Sequence, residues 1–369
     1  MKPIAFFIPT LHGGGAEKVV INLLKGMITK NLALDLDLVI ATAEGPYLNQ
    51  IPKGVRIIKL NSGRVIKAIL PLAKYLQKYQ PQALISHMSH ANVIAVIAKK
   101  LARTQTKLIL VEHNTLSADR SPLRRGKLIP PLMKLLYPQV EAIVGVSQAV
   151  ARDLEQELGL RKETVKTIYN PVVDDELLAK ANSPLAHPWF GSDSIPVFLA
   201  VGRLTPQKDF MTLIRAFAIV RKKIVARLLI LGEGESRPEL EALVNQLNLA
   251  DDVALPGFVE NPYAYMSRAT AFILSSQWEG LGNVLIEAMA CGCPVISTDC
   301  PSGPQEILEA GKYGCLVPVG DTEKLSLAML NLLQTPVKQS LLSERAKYFS
   351  IERAVQQYLE LCLEITHKS

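Results

Sequence analysis

Residues 271–298 spell out a strand, a loop, a helix and a second strand in direct succession, which points to a parallel α/β sheet. Ala271 to Leu274 is an apolar run short enough for a buried strand. Ser275 through Gly282 then turns polar, with two glycines and one carboxylate. From Asn283 onward, Val284, Leu285, Ala288 and Met289 recur at helical spacing, Gly292 and Pro294 stop the helix, and Val295-Ile296 resumes a strand. An order of strand, helix and strand belongs to folds whose ligands bind beyond the carboxyl ends of parallel strands.

The loop has a definite chemistry. Gly282 and Asn283 stand where a helix N-terminus presents unpaired N–H groups and a partial positive charge, which suits an anion. Glycine lets a ligand approach the backbone closely. Glu279 precedes the helix and Glu287 lies a little over one turn inside it, too deep to serve as a cap. A carboxylate there is placed to hold vicinal hydroxyls of a ligand whose phosphates rest on the helix end. Two solvated glutamates on an ordinary strand–loop–helix is the plainer alternative.

The segment Glu279-Gly-Leu-Gly-Asn-Val-Leu-Ile-Glu287, followed by Ala-Met-Ala-Cys-Gly-Cys-Pro-Val-Ile, resembles the Glu-x7-Glu motif of the retaining GT4 family of nucleotide-sugar glycosyltransferases. Leu281 stands where that family often has Phe. The resemblance implies the GT-B fold: two Rossmann-like αβα domains facing across a cleft, with a C-terminal helix crossing back to the first. It places domains at 1–175 and 196–349, a linker at 176–195 rich in Pro, Ser, Gly and Asn, and a final helix within 350–369.

Length and composition agree with that reading. A chain of 369 residues with 49% hydrophobic and 20% charged residues fills two globular domains. No apolar stretch is long enough to span a bilayer, and the N-terminal run through Pro9 reads as a first strand rather than a signal peptide. Five cysteines, none in a Cys-x-x-Cys pair and none joined by histidine at zinc spacing, read as reduced thiols in a cytoplasmic protein. Residues 1–175 carry 24 Lys+Arg against 13 Asp+Glu, a net +11, while the remainder carries 17 against 21, a net −4. The basic half points to a phosphate-rich or membrane-surface partner. Nucleic acid is disfavoured, since no nucleic-acid-reading motif is present and aromatics are 6%.

Along the first half, Pro3 to Pro9 reads as a strand, and His12-Gly-Gly-Gly-Ala-Glu17 leads from it into a helix. Such a turn suits phosphate or a closely approaching sugar, yet it is neither Gly-x-Gly-x-x-Gly nor a Walker motif. It resembles the family's N-terminal Gly-Gly-Ala-Glu, which implies donor contact at Gly14 and Gly15 and acceptor contact at Gly13 and Glu17. Asp35-x-Asp37 lies inside an alternating strand, not in the loop that a metal motif of the GT-A class needs. Arg64–Gln80 is amphipathic and basic, as is Arg120–Tyr137, so either can lie on an anionic membrane or simply pack as a helix with a solvated face. His113 ends the strand 107–114, and the family places a histidine at the matching position against the donor sugar. His87 and His90 follow another strand, with cleft-facing and structural roles both open.

In the second half, Arg203 and Lys208 flank a proline turn after the strand 197–202, where two cations can hold a diphosphate. The resemblance assigns them to neutralising the departing nucleoside diphosphate in place of a metal. It assigns Phe258 and Val259 to the base through their backbone, Leu281, Gly282 and Asn283 to the donor, Glu287 to the ribose and Glu279 to the sugar. His113, Glu279, Arg203 and Lys208 thus form the catalytic set, with no metal and no cofactor. No carboxylate pair of the kind used in retaining hydrolysis is evident, so same-face attack is the implied route. The expected reaction moves a hexose or N-acetylhexosamine, from UDP more readily than from GDP, to a lipid-linked glycan at the cytoplasmic membrane face. A GT-B epimerase, a disaccharide synthase and a non-catalytic sugar-nucleotide binder are the rival readings.

Overall fold

The computed structural model describes residues 2–30, 34–117, 129–191, 195–335 and 337–367. The chain forms two compact units, one of residues 1–171 with 351–369 and the other of residues 172–350. Each is built on its own parallel sheet.

The first unit holds β1 (Ile4–Ile8), β2 (Leu36–Ile40), β3 (Val55–Lys59), β4 (Ala83–His87), β5 (Lys107–Glu112), β6 (Ala142–Gly145) and β7 (Val165–Thr167) in the order β3-β2-β1-β4-β5-β6-β7. Strands β1, β2, β4 and β6 are buried along their whole length; β1 and β6 run apolar, as strands covered on both faces do, whereas β2 buries Asp37 and β4 buries Ser86 and His87. Edge strand β3 exposes Arg56 and Lys59, a charged edge that resists pairing with another chain. Asp37 is buried inside β2, accepting from Arg56 Nε at 2.8 Å, Arg56 Nη2 at 2.7 Å and Tyr75 Oη at 2.5 Å. Asp37 therefore belongs to the sheet interior, while Asp35 is exposed just before β2 begins.

The basic stretch 64–80 begins as a 3₁₀ turn, Val65–Ala68, and continues as the helix Ile69–Tyr79. Pro71 sits in its first turn, where the missing N–H costs nothing. Leu72, Ala73, Tyr75 and Leu76 are buried, while Ile66 and Leu70 are 67% and 66% exposed beside Arg64, Lys67 and Lys74. Of the second basic stretch, 118–128 lies outside the described residues; beyond it the helix Ile129–Leu136 buries Met133 and Leu136 and exposes Leu135 and Lys134. The final helix, Ile351–His367, belongs to the first unit. Lys30 Nζ donates to Gln356 Oε1 at 3.0 Å, and Lys166 pairs with Glu364.

The second unit holds β8 (Val197–Val201), β9 (Arg227–Leu231), β10 (Val253–Gly257), β11 (Ala271–Leu274), β12 (Val295–Thr298) and β13 (Cys315–Val317) in the order β10-β9-β8-β11-β12-β13. Its core joins Phe198, Ile230 and Ile273 of the sheet to Leu213 and Phe217 of the helix Phe210–Arg221 and Met329 of the helix Thr322–Gln334.

Within 176–195, whose composition suggests a linker, the described residues through 191 include helical structure. The helix Asp175–Ala181 is capped by Asp174, whose Oδ1 accepts from Leu177 N at 2.8 Å. Asn261 Nδ2 and Ser267 Oγ donate to the carbonyls of Lys180 and Ala181, at 2.9 and 2.7 Å, and Arg268 reaches the Ser183 carbonyl at 2.9 Å. Main-chain carbonyls there accept from side chains of the second unit, and the passages between units fall at 171/172 and 350/351.

Candidate active site

Both sheets share one topological property. β1 lies between β2 and β4, and β8 lies between β9 and β11, so successive connections leave these central strands in opposite directions. Where the winding reverses, the loops at the carboxyl ends part and open a crevice. In the second unit those loops are 202–209, after β8, and 275–282, after β11, which are the segments carrying the candidate cations and carboxylate.

Their side chains meet. Lys208 Nζ lies 2.5 Å from Glu279 Oε1, with side-chain exposures of 16% and 9%, and Ser276 Oγ donates to the same carboxylate oxygen at 2.6 Å. Four further bonds fix the loops. Ser275 Oγ donates to the Lys208 carbonyl at 2.7 Å and Gln207 Nε2 to the Trp278 carbonyl at 2.8 Å. Thr298 Oγ1 donates to the Ser276 carbonyl at 2.6 Å, and Gln277 N to the Gln207 carbonyl at 2.8 Å. A positioned cation thus stands against a positioned carboxylate at the point where an α/β sheet receives its ligand.

The loop carrying Glu279 also leans on a second turn. Ser302 Oγ donates to the carbonyls of Glu279 and Gly280, the latter at 3.0 Å. Gly303 has φ +76° and ψ −74°, and a Cβ there would sit 2.0 Å from the Leu281 carbonyl oxygen, so only glycine fits. Gly282 has φ +93° at the N-cap of the helix Asn283–Ala290 and supplies no side-chain cap. The positive end of that helix's dipole therefore lies at Gly282 and Asn283, beside the loop that carries Glu279. Leu281 is itself buried at 2%, so what it can offer a ligand is backbone.

Arg203 is exposed, and none of the ion pairs among the described residues includes it. Glu287 is half-buried, with Tyr263 Oη 3.3 Å from its Oε1. Phe258 projects into solvent at 79% exposure directly after β10, and Val259 is half-buried.

In the first unit, Gly13 and Gly14 follow β1 and lead into the helix Gly15–Thr29, whose Gly14 N-cap bears no capping side chain. Glu17, in its first turn, is buried. His113 follows β5, half-buried, and its Nε2 lies 3.0 Å from Nδ1 of His87, the last residue of β4. Burial depresses the His113 imidazole to about 4 and the fully buried His87 well below the usual histidine range. His90 is likewise depressed by burial. Glu112 is buried behind them, accepting from Ser89 Oγ at 2.7 Å, from Asn92 Nδ2 at 2.8 Å and from Tyr137 Oη. Burial raises its carboxyl, and those three donors oppose the rise. The five cysteines are free, and burial pushes Cys291, Cys300 and Cys362 up to about 12, far from nucleophilic thiolates.

Sequence reasoning passed over Ser276, Gln207, Ser302 and Tyr263, and left the role of His87 open. The Ser275-Ser276 pair directly after an apolar strand was the one local sign: two hydroxyls at a buried strand end need partners. The partners of Ser302 and Tyr263 lie more than 20 residues away in sequence, beyond the reach of spacing arguments.

Two parallel α/β units in one chain are the architecture of GT-B glycosyltransferases. The chain belongs to glycosyltransferase family 4: the model for Glycosyltransferase Family 4 matches residues 13–176, and that for group 1 glycosyl transferases matches residues 195–335. It is 32% identical over 336 residues to an uncharacterized glycosyltransferase of Methanocaldococcus jannaschii, covering 80% of this chain and 82% of the relative. It is 30% identical to the Campylobacter jejuni N-acetylgalactosamine-N,N'-diacetylbacillosaminyl-diphospho-undecaprenol 4-alpha-N-acetylgalactosaminyltransferase, over 94% of each chain. Among solved structures, sucrose-phosphate synthase of Thermosynechococcus elongatus matches with a TM-score of 0.85 at 20% identity over 100% of both chains. The Anabaena protein HepE with bound UDP-glucose matches at 0.78 and 22%, over 97% of this chain and 98% of that one.

Proposed function

We propose that this glycosyltransferase moves an N-acetylhexosamine, or a closely related hexose, from a UDP-sugar to a hydroxyl of a lipid-diphosphate-linked glycan, with retention at the anomeric carbon. The observation that carries the donor half is the Lys208–Glu279 pair at the second switch point. Breaking the bond between C1 and the diphosphate oxygen builds negative charge on the leaving group. Lys208, Arg203 and the N-terminus of the helix Asn283–Ala290 stabilise that charge as preorganised electrostatics. Glu279 holds hydroxyls of the sugar, Glu287 those of the ribose, and the backbone at Phe258 and Val259 the base. Leu281, Gly282 and Asn283 line the donor's phosphate end.

Gly14 and Gly15 belong to the donor side and Gly13 and Glu17 to the acceptor side of the first unit's loop, and His113 contributes a hydrogen bond to the transferred sugar. The acceptor oxygen forms its new bond to C1 on the face the diphosphate leaves, and the departing phosphate takes the acceptor's proton. No metal enters the scheme.

The acceptor half rests on the Campylobacter relative, whose name specifies a diphospho-undecaprenol glycan, and on the first unit's charge. Ile66 and Leu70 stand exposed among Arg64, Lys67 and Lys74, suiting peripheral contact with an anionic cytoplasmic leaflet. Among the described residues, no helix is long and apolar enough to cross a membrane. The test is incubation with UDP-N-acetylgalactosamine, UDP-N-acetylglucosamine, UDP-glucose and GDP-mannose, with and without undecaprenyl-diphosphate-linked glycan. Nucleoside diphosphate release that requires the acceptor, with an α-linked product by mass spectrometry and NMR, is the expected result. An altered sugar nucleotide without acceptor would indicate an epimerase instead.

A further inference from the structure

His113 is held by the residue that ends the neighbouring strand β4. His87 Nδ1 and His113 Nε2 lie 3.0 Å apart, with ring centroids at 5.3 Å. The His87 ring is wholly buried and stacks against Phe6 of β1 at 6.2 Å and 18°. Its other nitrogen, Nε2, is buried with no hydrogen-bond partner among the described residues. The nearest carboxylate in sequence, Glu112, accepts instead from Ser89, Asn92 and Tyr137.

We infer that His87 is a positioning residue that holds His113 in the neutral tautomer carrying its proton on Nδ1. Two neutral imidazoles sharing one hydrogen bond have one donor and one acceptor. Were His113 Nε2 the donor, His87 would carry its proton on Nε2, leaving a buried N–H without an acceptor. In the opposite arrangement His87 Nδ1–H donates to His113 Nε2, and only a bare ring nitrogen is left in the apolar surround. A stranded buried donor is the costlier of the two, so the second arrangement wins. Desolvation keeps both rings neutral at pH 7, as this exchange requires. His113 is then left with Nδ1–H as a hydrogen-bond donor, the nitrogen that makes no bond among the described residues. The inference rests on the reading that His113 touches the transferred sugar: it would do so by donating to a hydroxyl oxygen, in an orientation that β4 sets.

The test needs no bound ligand for its first arm. Long-range ¹H–¹⁵N correlation of ¹⁵N-histidine-labelled full-length protein reports which His113 nitrogen is protonated, and Nδ1 is the expected answer. His87→Leu removes the donor and should yield a mixture of tautomers. Its kcat for UDP release from UDP-N-acetylgalactosamine with lipid-linked acceptor should fall about 10- to 100-fold at little-changed KM, the usual scale for an orienting partner. His87→Asn places a side-chain N–H at the Nδ1 position and should recover most of that loss. A wild-type His113 protonated on Nε2 overturns the inference, as does a His87→Leu variant with unchanged tautomer and kcat. Should His87→Leu fail to fold, the wild-type spectrum and the His87→Asn variant decide. Near-normal transfer by His113→Ala would instead overturn the role given to His113 while leaving the tautomer result standing.

Discussion

Neutralising the Lys208–Glu279 pair separates its contribution to folding from its contribution to transfer. At 2.5 Å, opposite charges in an effective dielectric near 20 attract by roughly 6–7 kcal/mol before desolvation is counted. Both side chains are largely withdrawn from water, so desolvation offsets most of that attraction. Removing one partner is nevertheless expensive, because it strands the other charge. Lys208→Met leaves Glu279 with Ser276 as its remaining side-chain donor, and a loss of about 2–3 kcal/mol follows. For a unit the size of residues 172–350 that lowers the melting temperature by roughly 5–10 °C. Glu279→Gln keeps the volume and should lose less. The double variant Lys208→Met/Glu279→Gln removes both charges together, and its stability should return to within about 1 kcal/mol of wild type. Transfer should behave otherwise. Each single variant should lose about 10²- to 10³-fold in kcat, and the double variant should recover none of it, since neutral side chains stabilise neither a leaving diphosphate nor a sugar held by a carboxylate. Scanning calorimetry and UDP release on the same four proteins give both readouts. Recovery of transfer along with stability would refute the reasoning, because the pair would then be a structural clasp.

The remaining predictions reach other parts of the chain. Gly303→Ala must enter a left-handed conformation and push its Cβ against the Leu281 carbonyl, so a stability loss of about 2 kcal/mol is expected, with a parallel fall in transfer; denaturant melts and UDP release check it. Asp37→Ala strands the Tyr75 hydroxyl and releases Arg56, costing about 2 kcal/mol in urea unfolding while kcat stays unchanged. His87 and His113 titrate below the unfolded value of 6.5 in the folded state, so the folded protein binds fewer protons there. Their contribution is whole above pH 6.5 and is lost as pH falls toward 4. Melting temperature measured across that window should drop more steeply in wild type than in a His87→Asn/His113→Asn variant.

Much of this fold is legible locally. Apolar runs of four to six residues, each followed by a helical repeat, mark most of the strands of both sheets, and the loop 275–282 declares its polarity and glycines without any tertiary information. Glu279 and Glu287 are likewise readable as a motif, although the roles assigned to them came from a family likeness. The region 176–195 is rich in Pro, Ser and Asn, a composition that suits a docked cap as well as a linker. What its carbonyls bond to lies about 80 residues further on.

The chain's own order of strands and helices, its glycines and its acidic spacing were determined by sequence, since each rests on interactions within a few residues. Only the tertiary structure placed β8 beside β11, with Lys208 and Glu279, 71 positions apart, on facing sides of one crevice. Only it set His87 against His113 across neighbouring strands, with no second partner for the inner imidazole among the described residues. Strand order and side-chain burial come from packing over the whole sheet, and that packing decides which charge meets which and which proton sits on which nitrogen.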